Sequence, residues 1–82
     1  MAVEDVTLPD LGEDAGDAAT VAFWYVDPGE SVEEGDELVQ MLTDKATFDV
    51  PSPKAGTVKE LIAGEDQEVQ VGEVLCRLDT GD

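Results

Sequence analysis

Apolar residues recur at alternate positions in short runs, and Gly, Pro and acidic residues separate the runs. Val3, Val6 and Leu8 mark a strand over Val3–Pro9, which Pro9 ends. A polar loop follows over Asp10–Asp17, with Gly12 and Gly16 as breakers. Thr20–Val26 is the most β-favouring stretch, and Val21, Phe23, Trp24 and Val26 are expected to face the core. Asp27-Pro28-Gly29-Glu30 predicts a type II turn, with Pro presetting φ and Gly taking the positive φ. Further strands are predicted around Val32 and over 37–43, Thr47–Val50, Thr57–Ile62, Val69–Val71 and Glu73–Asp79. In the last of these, Val74, Cys76 and Leu78 alternate with Glu73, Leu75 and Arg77, which reads as core against solvent and makes Cys76 a buried thiol. No amphipathic helix stands out. Many short strands at this spacing predict an all-β sandwich or barrel.

The pattern occurs twice. At a shift of 37 positions Ala18 falls on Ala55, Thr20 on Thr57, Val21 on Val58, Val32 on Val69, Gly35 on Gly72, Leu38 on Leu75 and Thr43 on Thr80. Asp36 meets Glu73, Val39 meets Cys76 and Met41 meets Leu78. Two copies of one strand pattern predict an internal two-fold axis. The copies part at one place: Asp44-Lys45 of the first faces Gly81-Asp82 of the second. In the first copy the strands around Thr43-Asp44-Lys45-Ala46 are predicted to join through a tight turn that holds the Lys45 amine at its tip. Asp-Lys is not the Asn-Gly or Asp-Gly pair that two-residue hairpin loops favour.

Composition narrows the chemistry. Eighty-two residues suit one small domain, 1–82. Histidine is absent and Cys76 stands alone, so a Cys/His zinc site, an imidazole base and an internal disulfide are all excluded. Twenty-one acids against four bases give a net charge of −17. Such a surface repels nucleic acid and anionic membranes and is expected of a protein adapted to high salt. The acidic stretch Gly12–Asp17 lacks the spacing of an EF-hand loop, and no metal site is expected. With no membrane-length apolar run and strand-like sequence directly after Met1, a cytoplasmic location is expected. No activated nucleophile or Gly-rich phosphate loop is present, so no catalytic residue is assigned and the domain is not expected to be an enzyme by itself.

Val6-Thr7-Leu8-Pro9-Asp10-Leu11-Gly12-Glu13, the Val21–Val32 stretch with Trp24 and Gly29, Gly35-Asp36, Thr43-Asp44-Lys45-Ala46, Val50-Pro51-Ser52-Pro53 and Ala55-Gly56 together resemble a lipoyl domain. The likeness is to the biotinyl/lipoyl-carrier family, and to the acyltransferases of 2-oxo acid dehydrogenase complexes in particular. It implies a flattened β-barrel or sandwich of two four-stranded antiparallel sheets with quasi-two-fold symmetry. It also implies that Lys45 carries lipoic acid in amide linkage, with Asp44 and Ala46 in the turn that the lipoylating enzyme recognises. In this family a thiamine-diphosphate 2-oxo acid dehydrogenase reductively acylates the arm, an acyltransferase core takes the acyl group, and dihydrolipoyl dehydrogenase reoxidises the dithiol.

The stretch from Thr43 to Pro53 looks most like acetyl-carrying domains, which suggests a pyruvate dehydrogenase complex. The first loop, Leu11–Ala18, is expected near the tip, where it would help the dehydrogenase choose this domain. The isolated domain is expected to be monomeric. One position departs from the family pattern: Leu42 stands where many lipoyl domains have Glu, a residue that some lipoylating enzymes use. Biotinyl domains place Met on both sides of their lysine, where this chain has Asp44 and Ala46. A biotinyl carrier and an unmodified interaction module are the alternative readings.

Overall fold

The computed structural model describes residues 2–10 and 16–81. Their strands are β1 (Val3–Thr7), β2 (Ala18–Trp24), β3 (Ser31–Val32), β4 (Glu37–Leu42), β5 (Thr47–Pro51), β6 (Gly56–Leu61), β7 (Glu68–Gln70) and β8 (Val74–Asp79). They form two four-stranded antiparallel sheets, ordered β1-β8-β6-β3 and β5-β4-β2-β7. No helix occurs among the described residues. The all-β architecture and the two sheets expected from the resemblance are both present.

Each sheet turns one face inward, and the core lies between them. Leu8, Leu38, Met41, Leu75 and Leu78 are its largest fully buried side chains. Each buried Leu or Met contributes about 1.5–3 kcal/mol relative to an exposed one.

Backbone hydrogen bonds repeat under the two-fold relation. Ser52 N donates to Asp36 O at 2.7 Å, and Leu8 N to Glu73 O at 3.0 Å. The Asp27–Glu30 turn closes at 3.1 Å, and so does its counterpart, Gly64–Gln67. Gly29 takes φ 95° in the first turn, and Asp66 takes φ 69° in the second. Asp tolerates this left-handed conformation better than most residues, which is how the second copy does without the glycine.

Two expectations about side-chain direction fail, both at bulges. Along β2 the pairing with β4 skips Ala22, passing from Val21↔Met41 to Phe23↔Gln40. An extra residue reverses the alternation beyond it. Val21 and Val26 therefore point inward, Trp24 packs half-buried against the core, and Phe23 lies outside at 39% exposure. On β8 the pairing with β1 skips Leu75, so Leu75 is fully buried beside Cys76 and does not join Arg77 in solvent. Leu38, the two-fold counterpart of Leu75, is skipped and buried in the same way on β4.

Candidate functional site

The β4–β5 hairpin pairs as far as Leu42↔Thr47. Beyond that pair Thr43 N donates to Ala46 O at 2.8 Å. The turn itself is held by one side chain. The Thr43 hydroxyl accepts from Ala46 N at 3.1 Å and from Lys45 N at 3.3 Å, and donates to Ala46 O at 3.1 Å. A hydroxyl offers one donor and two acceptor positions, so all are in use. Such hydroxyl-to-backbone bonds mimic a backbone turn.

This arrangement accounts for the unusual turn sequence. Asp66 is the only non-glycine residue with positive φ among those described, so Asp44 and Lys45 keep ordinary negative φ values. The loop is not the primed turn that calls for Asn-Gly. Asp44, Lys45 and Ala46 are all exposed, while Thr43 is half-buried. Beside them lies an open groove of about 340 Å³, lined by Ala18, Thr20, Leu42, Thr43, Asp44 and Glu68 among others. Leu42 is 39% exposed at its edge.

The other cations sit elsewhere. Lys54 pairs with Glu4 at 3.7 Å, and Lys59 is the bulge residue of β6. Arg77 bridges Asp5 at 3.3 Å and Glu60 at 2.9 Å. Among the described residues no ion pair engages Lys45. The second copy repeats the tip in outline. Thr80 N and Thr80 Oγ1 both donate to Ala2 O, at 2.9 and 3.3 Å. There the two strands belong to opposite ends of the chain and no lysine is presented.

Lys45, Asp44 and Ala46, which the sequence groups in one turn, all lie at one tip. The role of Thr43, whose hydroxyl fixes that tip, is not evident from the acceptor motif; a Thr at the first turn position is the signal that could reveal it. Most of the loop Leu11–Ala18 lies outside the described residues; of it, Ala18 lines the groove next to Thr43 and Asp44. Cys76 is fully buried, and burial pushes its thiol up to about 11, so it has no part in this surface.

The family model described as "Biotin-requiring enzyme", of the biotin/lipoyl type, matches residues 4–78. The solved lipoyl domain of the 2-oxoglutarate dehydrogenase complex from Azotobacter vinelandii superposes with a TM-score of 0.72 at 32% identity, covering 92% of this chain and 94% of that one. The chain belongs to the biotinyl/lipoyl-carrier family, as a lipoyl domain. Among curated relatives, the lipoamide acyltransferase component of the branched-chain alpha-keto acid dehydrogenase complex of Bacillus subtilis is 41% identical over 80 residues. That match takes in 98% of this chain and 19% of the relative. The dihydrolipoyllysine-residue acetyltransferase component of the pyruvate dehydrogenase complex of Corynebacterium glutamicum is 40% identical over 77 residues, 94% of this chain and 11% of the relative. The lipoyl domain thus spans a fifth or less of the curated relatives it matches.

Proposed function

We propose that Lys45 is the attachment point of lipoic acid and that this lipoyl domain is the swinging-arm carrier of a 2-oxo acid dehydrogenase complex. The observation that carries the reading is the tip itself: Lys45 is exposed at the end of a hairpin whose backbone one threonine hydroxyl holds in place. An amine so placed can enter the active site of another enzyme without the barrel following it. The residues fit the group, since an amide on the amine needs only access and a rigid base. Asp44 and Ala46 form the surface that a lipoylating enzyme reads around it. That enzyme supplies the lipoyl group as an acyl adenylate, from which AMP leaves as the amide forms, and the base that takes the amine's proton, because this chain offers neither.

Once attached, the lipoyl group supplies a disulfide that can be reduced and acylated together. The chain's own part is to present it to three partners in turn: a thiamine-diphosphate 2-oxo acid dehydrogenase, an acyltransferase core and dihydrolipoyl dehydrogenase. Acetyl is the acyl group favoured by the Thr43–Pro53 stretch, and the name of the C. glutamicum relative agrees. The B. subtilis relative supports a second reading, a branched-chain acyl group. Presenting the lipoylated domain to pyruvate, branched-chain and 2-oxoglutarate dehydrogenases, each with labelled substrate, tests both. The proposal expects label on the domain, with the highest kcat/KM from the pyruvate enzyme. A highest value from the branched-chain enzyme would select the second reading. No label from any of them would remove the carrier role.

A further inference from the structure

The two sheets place the same register positions on their outer faces and fill them differently. On the β8 sheet Arg77 lies opposite Asp5 on one side and Glu60 on the other, and it bridges both. Gln40 holds the equivalent position on the β4 sheet, opposite Asp49 and Phe23. Here no cation closes the set. Tyr25 reaches over it, donating its phenol hydrogen to Asp49 Oδ1 at 2.8 Å. Its ring meets Phe23 edge to face, with centroids 4.8 Å apart. Phe23 and Tyr25 are 39% and 40% exposed.

This pair is braced by that hydrogen bond and ring contact and left open to solvent. Its surroundings are negative: Asp49 accepts from Tyr25, and Glu37 lies close enough to act on the same phenol. None of the strands of this sheet carries Lys or Arg. The face is also continuous with the tip, since Leu42 and Gln40 of β4 lead from Lys45 to Phe23. Exposed aromatic rings beside a carboxylate that pairs with no cation among the described residues suit a guanidinium, which stacks on the ring while its fork meets the carboxylate. Aromatic anchors of this kind carry much of the binding energy at protein interfaces.

We propose that this outer face docks onto the dehydrogenase that acylates the arm, seating an arginine of that enzyme against Phe23, Tyr25 and Asp49. The inference rests on the carrier reading above. A tip presented by one sheet brings that sheet's outer face against whatever receives it, and a surface of charge −17 calls for a basic partner.

The test copies one face onto the other. Phe23→Glu with Gln40→Arg installs the Glu60–Arg77–Asp5 arrangement in the register that already supports it, and leaves the net charge unchanged. Each variant is lipoylated, checked by intact mass, and titrated as substrate against the 2-oxo acid dehydrogenase of the same cells. We expect lipoylation as in the parent and a fall in kcat/KM for acylation of about tenfold or more, mainly through KM. Arg77→Gln, on the other face, should leave KM as it is. Unchanged acylation of the double variant overturns the proposal. So does slower lipoylation with unchanged acylation, which would give the face to the lipoylating enzyme. A parent chain that takes no lipoyl group at all removes the carrier reading, and the docking with it. Should the double variant melt below the assay temperature, Phe23→Gln replaces it with the same expectations.

Discussion

Trp24 donates its indole N–H to the carbonyl oxygen of Ala63, 2.8 Å away. Trp24 ends β2 in one sheet, and Ala63 follows β6 in the other. The bond therefore ties the two sheets together at a point where the ring also packs on the core. Trp24→Ala should cost about 3–5 kcal/mol, a large share of what an 82-residue domain has. Trp24→Phe keeps most of the packing but strands a carbonyl on Ala63, a residue only 1% exposed, and should cost about 1–3 kcal/mol. Urea midpoints of the three proteins check the order, parent above Phe above Ala.

The Thr43 hydroxyl makes three of the bonds that hold the tip, so its removal should loosen the turn without unfolding the barrel. Thr43→Ser retains a hydroxyl and should be lipoylated at close to the parent rate. Thr43→Val keeps the shape and loses all three bonds. Misplacing an amine by about 1 Å can cost about a hundredfold in rate, so lipoylation of the Val variant should slow by one to two orders of magnitude, on that scale, with little change in melting temperature. Mass spectrometry over time, beside a thermal melt, separates the two effects.

Cys76 is fully buried, and its thiol is pushed up to about 11 by that burial. A group whose folded pKa lies above its unfolded value favours the folded state at low pH. Its contribution is complete below the ordinary thiol value of 9.0 and is lost as pH rises through about 11. Stability should therefore fall across that window more steeply in the parent than in Cys76→Val. Valine should be accommodated, since Val39 occupies the related position in the first copy and is equally buried. The Tyr25 phenol, also raised, chiefly by its bond to Asp49, contributes alike to both proteins and drops out of the difference. Urea midpoints at pH 8 and pH 11 check the slopes, and thiol labelling at neutral pH should be slow until the chain is unfolded.

Salt should stabilise the domain. Added ions screen repulsion across the −17 surface. They also weaken the ion pairs, but each of the three found joins side chains more than 40% exposed, and such pairs are worth about 0–1 kcal/mol apiece. Relief of repulsion should win. A melt from low to molar potassium chloride is expected to shift upward, and a flat or falling midpoint would contradict the salt-adapted reading.

Strand positions and the two-fold axis were legible in the sequence because alternation and repetition are properties of the chain itself. Val32 on Val69, Leu38 on Leu75 and Thr43 on Thr80 already named the symmetry that the hydrogen bonds repeat. The direction of Phe23 was not legible. A bulge at Ala22 sets it, and bulges depend on how two strands register in space. Leu75 was misplaced for the same reason. The close approach at Gly56 was equally hidden: a Cβ there would lie 2.5 Å from Asp79 O, so only glycine lets β6 meet β8 at that point. At the tip, Lys45 was legible through its turn context, whereas the work of Thr43 depends on where a rotatable hydroxyl settles.

Lys45 alone should receive the lipoyl group, because of where the hairpin holds it. Incubating the domain with lipoate, ATP and a lipoylating enzyme of the same source, then mapping peptides by mass spectrometry, tests it directly. The parent should gain one lipoyl group, on Lys45. Lys45→Arg should gain none, although Lys54 and Lys59 remain. Exchanging Asp44 and Lys45 keeps composition and charge, and should slow the reaction by about a hundredfold while the fold persists. A lipoyl group on Lys54 or Lys59, or an exchanged protein modified as fast as the parent, would contradict the account.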